Sequence, residues 1–301
     1  MRNNSSQEVR RFKFISGCVA TPAFFMANVA IVLLLSGLAW NSNIKAFISE
    51  ILLAILFALI LYICCRHIEQ SPWSFLGIGT DKKAGCFNFS LGLGIAGVLL
   101  SLIFLFELTN GWIKYSWIWQ QSQHPSSNIL FDAFIEFLTM GVIAAWIEEL
   151  VFRGYILKAL EDSRNNCYSA IIFSSFFFGL MHAVLCIKLF WGALICTFLL
   201  GVLLALGRYF TQSLWLSIGL HLGWNIFEGI IFGFPVSGNS DFLNCHFICQ
   251  VTPHQLLTIE VLFTGGEYGP EAGITGCVAA ILGCISLCFL SKRFRWSMRQ
   301  L

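Results

Sequence analysis

Long apolar runs, rather than alternating apolar and polar positions, organise this chain. They fall at residues 20–40, 45–65, 86–106, 129–158, 168–186, 189–206, 212–233 and 273–291. Each is close to the roughly 20 residues that a helix needs to cross a hydrocarbon core of about 30 Å. None carries the period-2 alternation of an outer-membrane strand, and only helices and closed barrels satisfy their backbone polar groups in lipid. The pattern predicts an all-α, polytopic transmembrane helix bundle of about eight spans. The first run lacks a short apolar stretch followed by a small-residue cleavage site, so it reads as a retained span. The fourth is overlong and is interrupted by Glu148, Glu149 and Arg153.

Composition agrees with that reading. Hydrophobic residues make up 57% of the 301 and charged residues 11%, against roughly 25% charged in soluble domains. Mean hydropathy is +0.77. So few charges cannot clothe a water-facing surface, which excludes disordered and nucleic-acid-binding classes. The lipid bilayer is the partner this composition implies, and nucleic acid is not one. With a cytoplasmic N-terminus, 15 of the 18 Lys and Arg residues fall on inner segments, and only Lys45, Lys114 and Lys188 fall outside. The positive-inside rule therefore predicts both termini in the cytoplasm and an even number of spans. Compact loops without an appended domain favour a bacterial inner membrane.

Three regions follow: N-terminal helices and loops over 1–128, a polar-bearing helical core over 129–233, and an outer-face loop with the last span and a basic tail over 234–301. The segment 234–272 has no Lys or Arg and contains Cys245 and Cys249, whose spacing alone does not decide whether they pair. The other ten cysteines lie in or beside apolar runs and read as small buried hydrophobes.

Ionisable groups within a bilayer are costly, and each is a candidate functional group. Glu149 and Arg153 are i,i+4 neighbours on a helix and can pair, whereas Glu148 points about 100° away. One carboxylate is thus paired and the other left free for acid–base work. His182 ends the run Phe178-Gly-Leu-Met-His182, and Phe178 carries little information in a chain with 30 Phe. His221 and Asn225 are again i,i+4 and share a face, on a helix that continues to Glu228. At about 1.5 Å per residue, Glu148, His182 and His221 fall roughly 21, 21 and 14 Å from the cytoplasmic side, so one site can gather all three. Plainer readings are a structural ion pair for Glu149 with Arg153, and interhelical hydrogen bonding for the histidines and Asn225.

Glu148-Glu149-x-x-x-Arg153, Phe178-x-x-x-His182 and His221-x-x-x-Asn225 resemble, in order, the three motifs of the CPBP intramembrane proteases. That family includes the type II CAAX prenyl endopeptidases and bacteriocin-processing or immunity proteins. The resemblance covers about 129–233. It implies an intramembrane endopeptidase acting on a membrane-associated substrate, lipidated in the prenyl-processing branch. Glu148 and His182 would activate water, His221 and Asn225 would stabilise the oxyanion, and Glu149 with Arg153 would organise the site. No cofactor is required on this reading; the metalloprotease alternative would place zinc on Glu148, His182 and His221. Rival classes are a proton-coupled transporter, disfavoured by the lack of an internal repeat, and a catalytically idle immunity or scaffold protein.

Overall fold

The computed structural model describes residues 42–63, 65–66, 76–79, 81–117, 134–135, 137–164, 166–184, 190–238, 249–253 and 258–293. The expected span at 20–40, both termini and Cys245 lie outside them. The described chain is mainly helical: α1 (Ser42–Ile63), α2 (Lys82–Thr109), α3 (Ala145–Glu149), α4 (Leu157–Arg164), α5 (Cys167–Ala183), α6 (Phe190–Thr211), α7 (Trp215–Asn225), α8 (Thr258–Thr264) and α9 (Ile274–Arg293). Lys82–Thr109, Trp191–Thr211 and Ile274–Arg293 are each long and apolar enough to cross a membrane. Two starts are capped by side chains. Asp81 accepts from the Ala84 N–H before α2, and Asn166 accepts from the Tyr168 and Ser169 N–H groups before α5.

The overlong fourth run is not one α-helix. π-helical stretches at Phe137–Ala144 and Leu150–Ile156 flank α3, and α4 completes the segment. The Leu157 N–H reaches back five residues to the Phe152 carbonyl. A π turn holds more residues than an α turn and changes the face on which later residues emerge; such turns are frequent at functional sites. The last polar-bearing helix has the same device, since α7 continues as a π-helical stretch over Ile226–Ile231.

Lipid is as apolar as leucine, so helix association here draws on close packing and polar contacts rather than on escape from water. α2 packs against α7, α5 against α6, and α9 against α6 and α2. Gly92 and Gly219 let α2 and α7 touch backbone to backbone. A Cβ on Gly219 would stand 2.2 Å from the Phe89 carbonyl oxygen, and one on Gly92 would stand 2.5 Å from that of Leu216. Ala96, Leu99, Leu100 and Ile103 turn inward from α2, while Val98, Leu102 and Leu105 are exposed on its other side, the face suited to lipid.

Two elements depart from the sequence reading. A short antiparallel ribbon pairs β1 (Ile113–Trp117) with β2 (Cys249–Pro253), Ile113 opposite Pro253 and Trp117 opposite Cys249. Its partners are remote in sequence, so neither five-residue strand announces itself locally. The end of the expected outer loop, moreover, folds back into the bundle. Short 3₁₀ turns at Gly266–Tyr268 and Pro270–Ala272 follow α8, with Tyr268 and Ala272 buried against Ala183 and Ala193.

If the α2–α7 contact is made by backbone proximity, Gly219→Leu lowers the melting temperature of the solubilised protein by an overpacking cost of about 1–3 kcal/mol or more. Gly94→Leu, with open space where its Cβ would go, leaves the melt unchanged. Equal losses in the two variants would refute the close-packing account.

Candidate active site

The site forms where α3, the π stretch after it, α5 and α7 converge. Glu149 closes α3, and Arg153 lies in the following π stretch; both side chains are fully buried. The Arg153 Nη1–H donates to Glu149 Oε1 at 2.9 Å, and Nη2–H donates to the Gly201 carbonyl of α6 at 3.3 Å. The guanidinium also lies 4.1 Å from the centroid of the Phe178 ring. A buried cation is thereby met by a carboxylate, a carbonyl and an aromatic face, each of which offsets part of its desolvation.

The same Glu149 oxygen receives His221: Nδ1 of the imidazole is 3.0 Å from Oε1. A carboxylate only accepts, so this nitrogen carries a proton and the ring's Nε2 faces away. His182 is oriented by a comparable device from its own helix, with Nδ1 donating to the Phe178 carbonyl at 2.9 Å. In the neutral ring that leaves His182 Nε2 as an acceptor. Phe178 packs against both rings, at centroid distances of 4.5 Å to His182 and 6.0 Å to His221.

Glu148 has a different environment from its neighbour. It is partly exposed, and its buried Oε2 has no hydrogen-bond partner. Nε2 of His182 and Nε2 of His221 each stand 3.9 Å from that oxygen. Asn225 is buried one turn beyond His221 on the same helix. The structure thus brings together Glu148, Glu149, Arg153, His182 and His221, with Asn225 on the same helix as His221.

Two contributions went unassigned in the sequence reading. Phe178 was named in the second motif but given no role; it carries the Arg153 contact and walls both histidines. The Gly201 carbonyl is main chain and leaves no residue-type signal.

Zinc fits the donor chemistry less well in spacing than in type. Two ligands on one tetrahedral zinc, bonded at about 2.0–2.1 Å, sit roughly 3.3 Å apart. Both imidazoles lie farther than this from Glu148, and among the described residues no three His, Cys, Asp or Glu side chains are grouped to hold a metal.

Residues 130–227, about a third of the chain, match the family model described as type II CAAX prenyl endopeptidase, Rce1-like. The matched segment contains all six residues named above. No curated protein matches the chain.

Arg153→Met leaves the Glu149 carboxylate buried without its cation, and the expected loss of stability is about 3–5 kcal/mol. Adding Glu149→Leu removes the stranded charge and returns the melt toward wild type. Thermal unfolding in detergent checks both, and a double variant less stable than Arg153→Met would contradict the pairing argument.

Proposed function

We propose that the chain, a member of the CPBP intramembrane protease family by its Rce1-like core, hydrolyses a peptide bond in a membrane-associated peptide or protein. One observation carries the reading: the unpartnered Glu148 oxygen and the acceptor nitrogen of His182 face the same small space. A carboxylate oxygen and an imidazole acceptor 3.9 Å apart suit a water molecule, which has two hydrogens to give.

Hydrolysis then proceeds from groups already in position. Glu148 takes one hydrogen of the water as general base while His182 holds the other, and the oxygen attacks the substrate carbonyl. The developing oxyanion needs donors. His221 supplies one as an imidazolium, with its Nδ1–H toward Glu149 and its Nε2–H toward the oxyanion; the Asn225 amide supplies the second. Glu149 and Arg153 touch no reacting atom and hold His221 in orientation. The proton on Glu148 passes to the leaving amine, which restores the starting state. No metal enters these steps.

The Rce1-like match makes a prenylated CAAX peptide the first substrate to try, and a bacterial inner membrane belongs to the same proposal. A proton-coupled transporter or an idle scaffold would cleave nothing.

With purified protein and such a peptide, Glu148→Gln and His182→Ala abolish cleavage while the melt is retained. His221→Ala and Asn225→Ala each reduce kcat by about 10²–10³, the usual cost of an oxyanion donor. Full cleavage by Glu148→Gln would overturn the site assignment. Activity is also expected to survive exhaustive chelation, and its loss with restoration by zinc would return Glu148, His182 and His221 to the role of ligands.

A further inference from the structure

A carboxyl group that the hydrolytic steps leave unused is buried near the end of α2. Glu107 has no exposed surface. Its Oε1 is 2.8 Å from the hydroxyl oxygen of Thr275, in the first turn of α9. That same hydroxyl oxygen is 2.9 Å from the Phe263 carbonyl oxygen of α8. The second Glu107 oxygen, Oε2, is buried without a hydrogen-bond partner.

An ionised Glu107 would leave this junction one hydrogen short. A carboxylate and a carbonyl only accept, and a hydroxyl has one hydrogen to give. Thr275 can complete one of the two contacts as donor, so the other needs a hydrogen from Glu107. A protonated Glu107 supplies it: Oε1–H donates to the Thr275 hydroxyl oxygen, and that hydroxyl donates on to the Phe263 carbonyl. The neutral form also spares the bundle a fully buried charge with one bare oxygen.

This junction closes the neck of the segment 264–274, since Phe263 immediately precedes it and Thr275 immediately follows. Within the segment, the 3₁₀ turns lie against the site. A Cβ on Gly192 of α6 would stand 2.3 Å from the Ala272 carbonyl oxygen. The Tyr268 hydroxyl is 3.5 Å from the His182 carbonyl oxygen, and Glu271 borders one small cavity together with His221 and Phe178. Glu107 ties the neck of this segment to α2, the helix against which α7 packs.

We infer that Glu107 is a positioning residue: a neutral carboxylic acid whose hydrogen latches the segment 264–274 onto α2 and so sets one wall of the histidine site, and whose ionisation opens the latch. The effect on catalysis rests on the hydrolytic reading above; the latch itself does not. Once ionised, Glu107 is an acceptor, takes the Thr275 hydrogen for itself and leaves the Phe263 carbonyl without it. The latch therefore holds while the proton is in place and weakens as pH rises. The titratable groups of neighbouring elements at this end of the bundle are Glu228 on the continuation of α7, Cys277 on α9, Lys114 and Tyr115 on β1, Glu260 on α8 and Glu271 in the segment itself. Glu228 is, like Glu107, a fully buried carboxyl group, so its titration is the one to be told apart.

Infrared spectra of the full chain in nanodiscs separate the C=O band of a protonated carboxyl group from the bands of a carboxylate. At neutral pH, wild type is expected to carry such a band that Glu107→Gln lacks; identical carboxyl bands in the two overturn the protonated acid. Glutamine keeps a donor, so Glu107→Gln is expected to fold and to exchange the backbone amides of 264–274 at the wild-type rate at neutral pH. Failure of this variant to fold overturns the latch. At alkaline pH, the wild-type segment is expected to exchange about threefold or more faster than that of Glu107→Gln at the same pH, with Glu228→Gln following wild type. Equal exchange in wild type and Glu107→Gln, or a rise abolished by Glu228→Gln, overturns the latch. On the prenylated peptide, kcat of Glu107→Gln is expected to match wild type at neutral pH and to exceed it by about threefold or more at alkaline pH. A ratio that stays constant with pH overturns the positioning role. A chain that shows the band and the exchange contrast but cleaves no peptide overturns the hydrolytic reading and leaves the latch standing.

Discussion

One oxygen atom holds the centre of this structure together. Glu149 Oε1 accepts from both Arg153 and His221, so a single buried carboxylate fastens the segmented helix to α7. Arg153 extends the tie to α6 through the Gly201 carbonyl and to α5 through the Phe178 ring. Breaking any of these inside a bilayer leaves a charge or polar group without water to replace its partner. The arrangement therefore favours one register among these helices, and Glu148, the adjacent residue, takes its place beside two imidazoles as a consequence. The polarity that would activate water depends on a neighbour that cannot itself take part.

Lipid also changes what packing must accomplish. Apolar side chains lie on both sides of α2, so hydrophobicity cannot tell its inner face from its outer one. Discrimination comes from where backbones can approach, as at Gly92 and Gly219. The π-helical stretches add a second means of steering. By placing an additional residue in a turn, they let Glu148, Glu149 and Arg153 serve different partners within a short segment.

Much of the architecture was legible because lipid imposes long apolar runs. The runs at 86–106, 168–186, 189–206 and 273–291 each coincide with a helix, and the i,i+4 spacing of Glu149 with Arg153 anticipated their pairing. What was not legible has physical causes. The β1–β2 ribbon depends on a partner far along the chain, and the π stretches are set by tertiary fit rather than by residue preference. The inward return of Tyr268 and Glu271 came from a segment whose composition suggested only an exposed loop. Glu107, buried at the far end of α2 and bonded to the Thr275 hydroxyl, likewise gave no local sign of its partner.

Several groups that orient the site are carbonyls: Gly201 for Arg153, Phe178 for His182, and the His182 carbonyl for the Tyr268 hydroxyl. A carbonyl is present whatever side chain the residue carries. These contacts therefore depend on helix path and spacing, and not on the side chain of the residue that supplies the oxygen. A substitution at Gly201, Phe178 or His182 that keeps the backbone in place therefore leaves that residue's carbonyl contact intact, even where it removes the side chain's own.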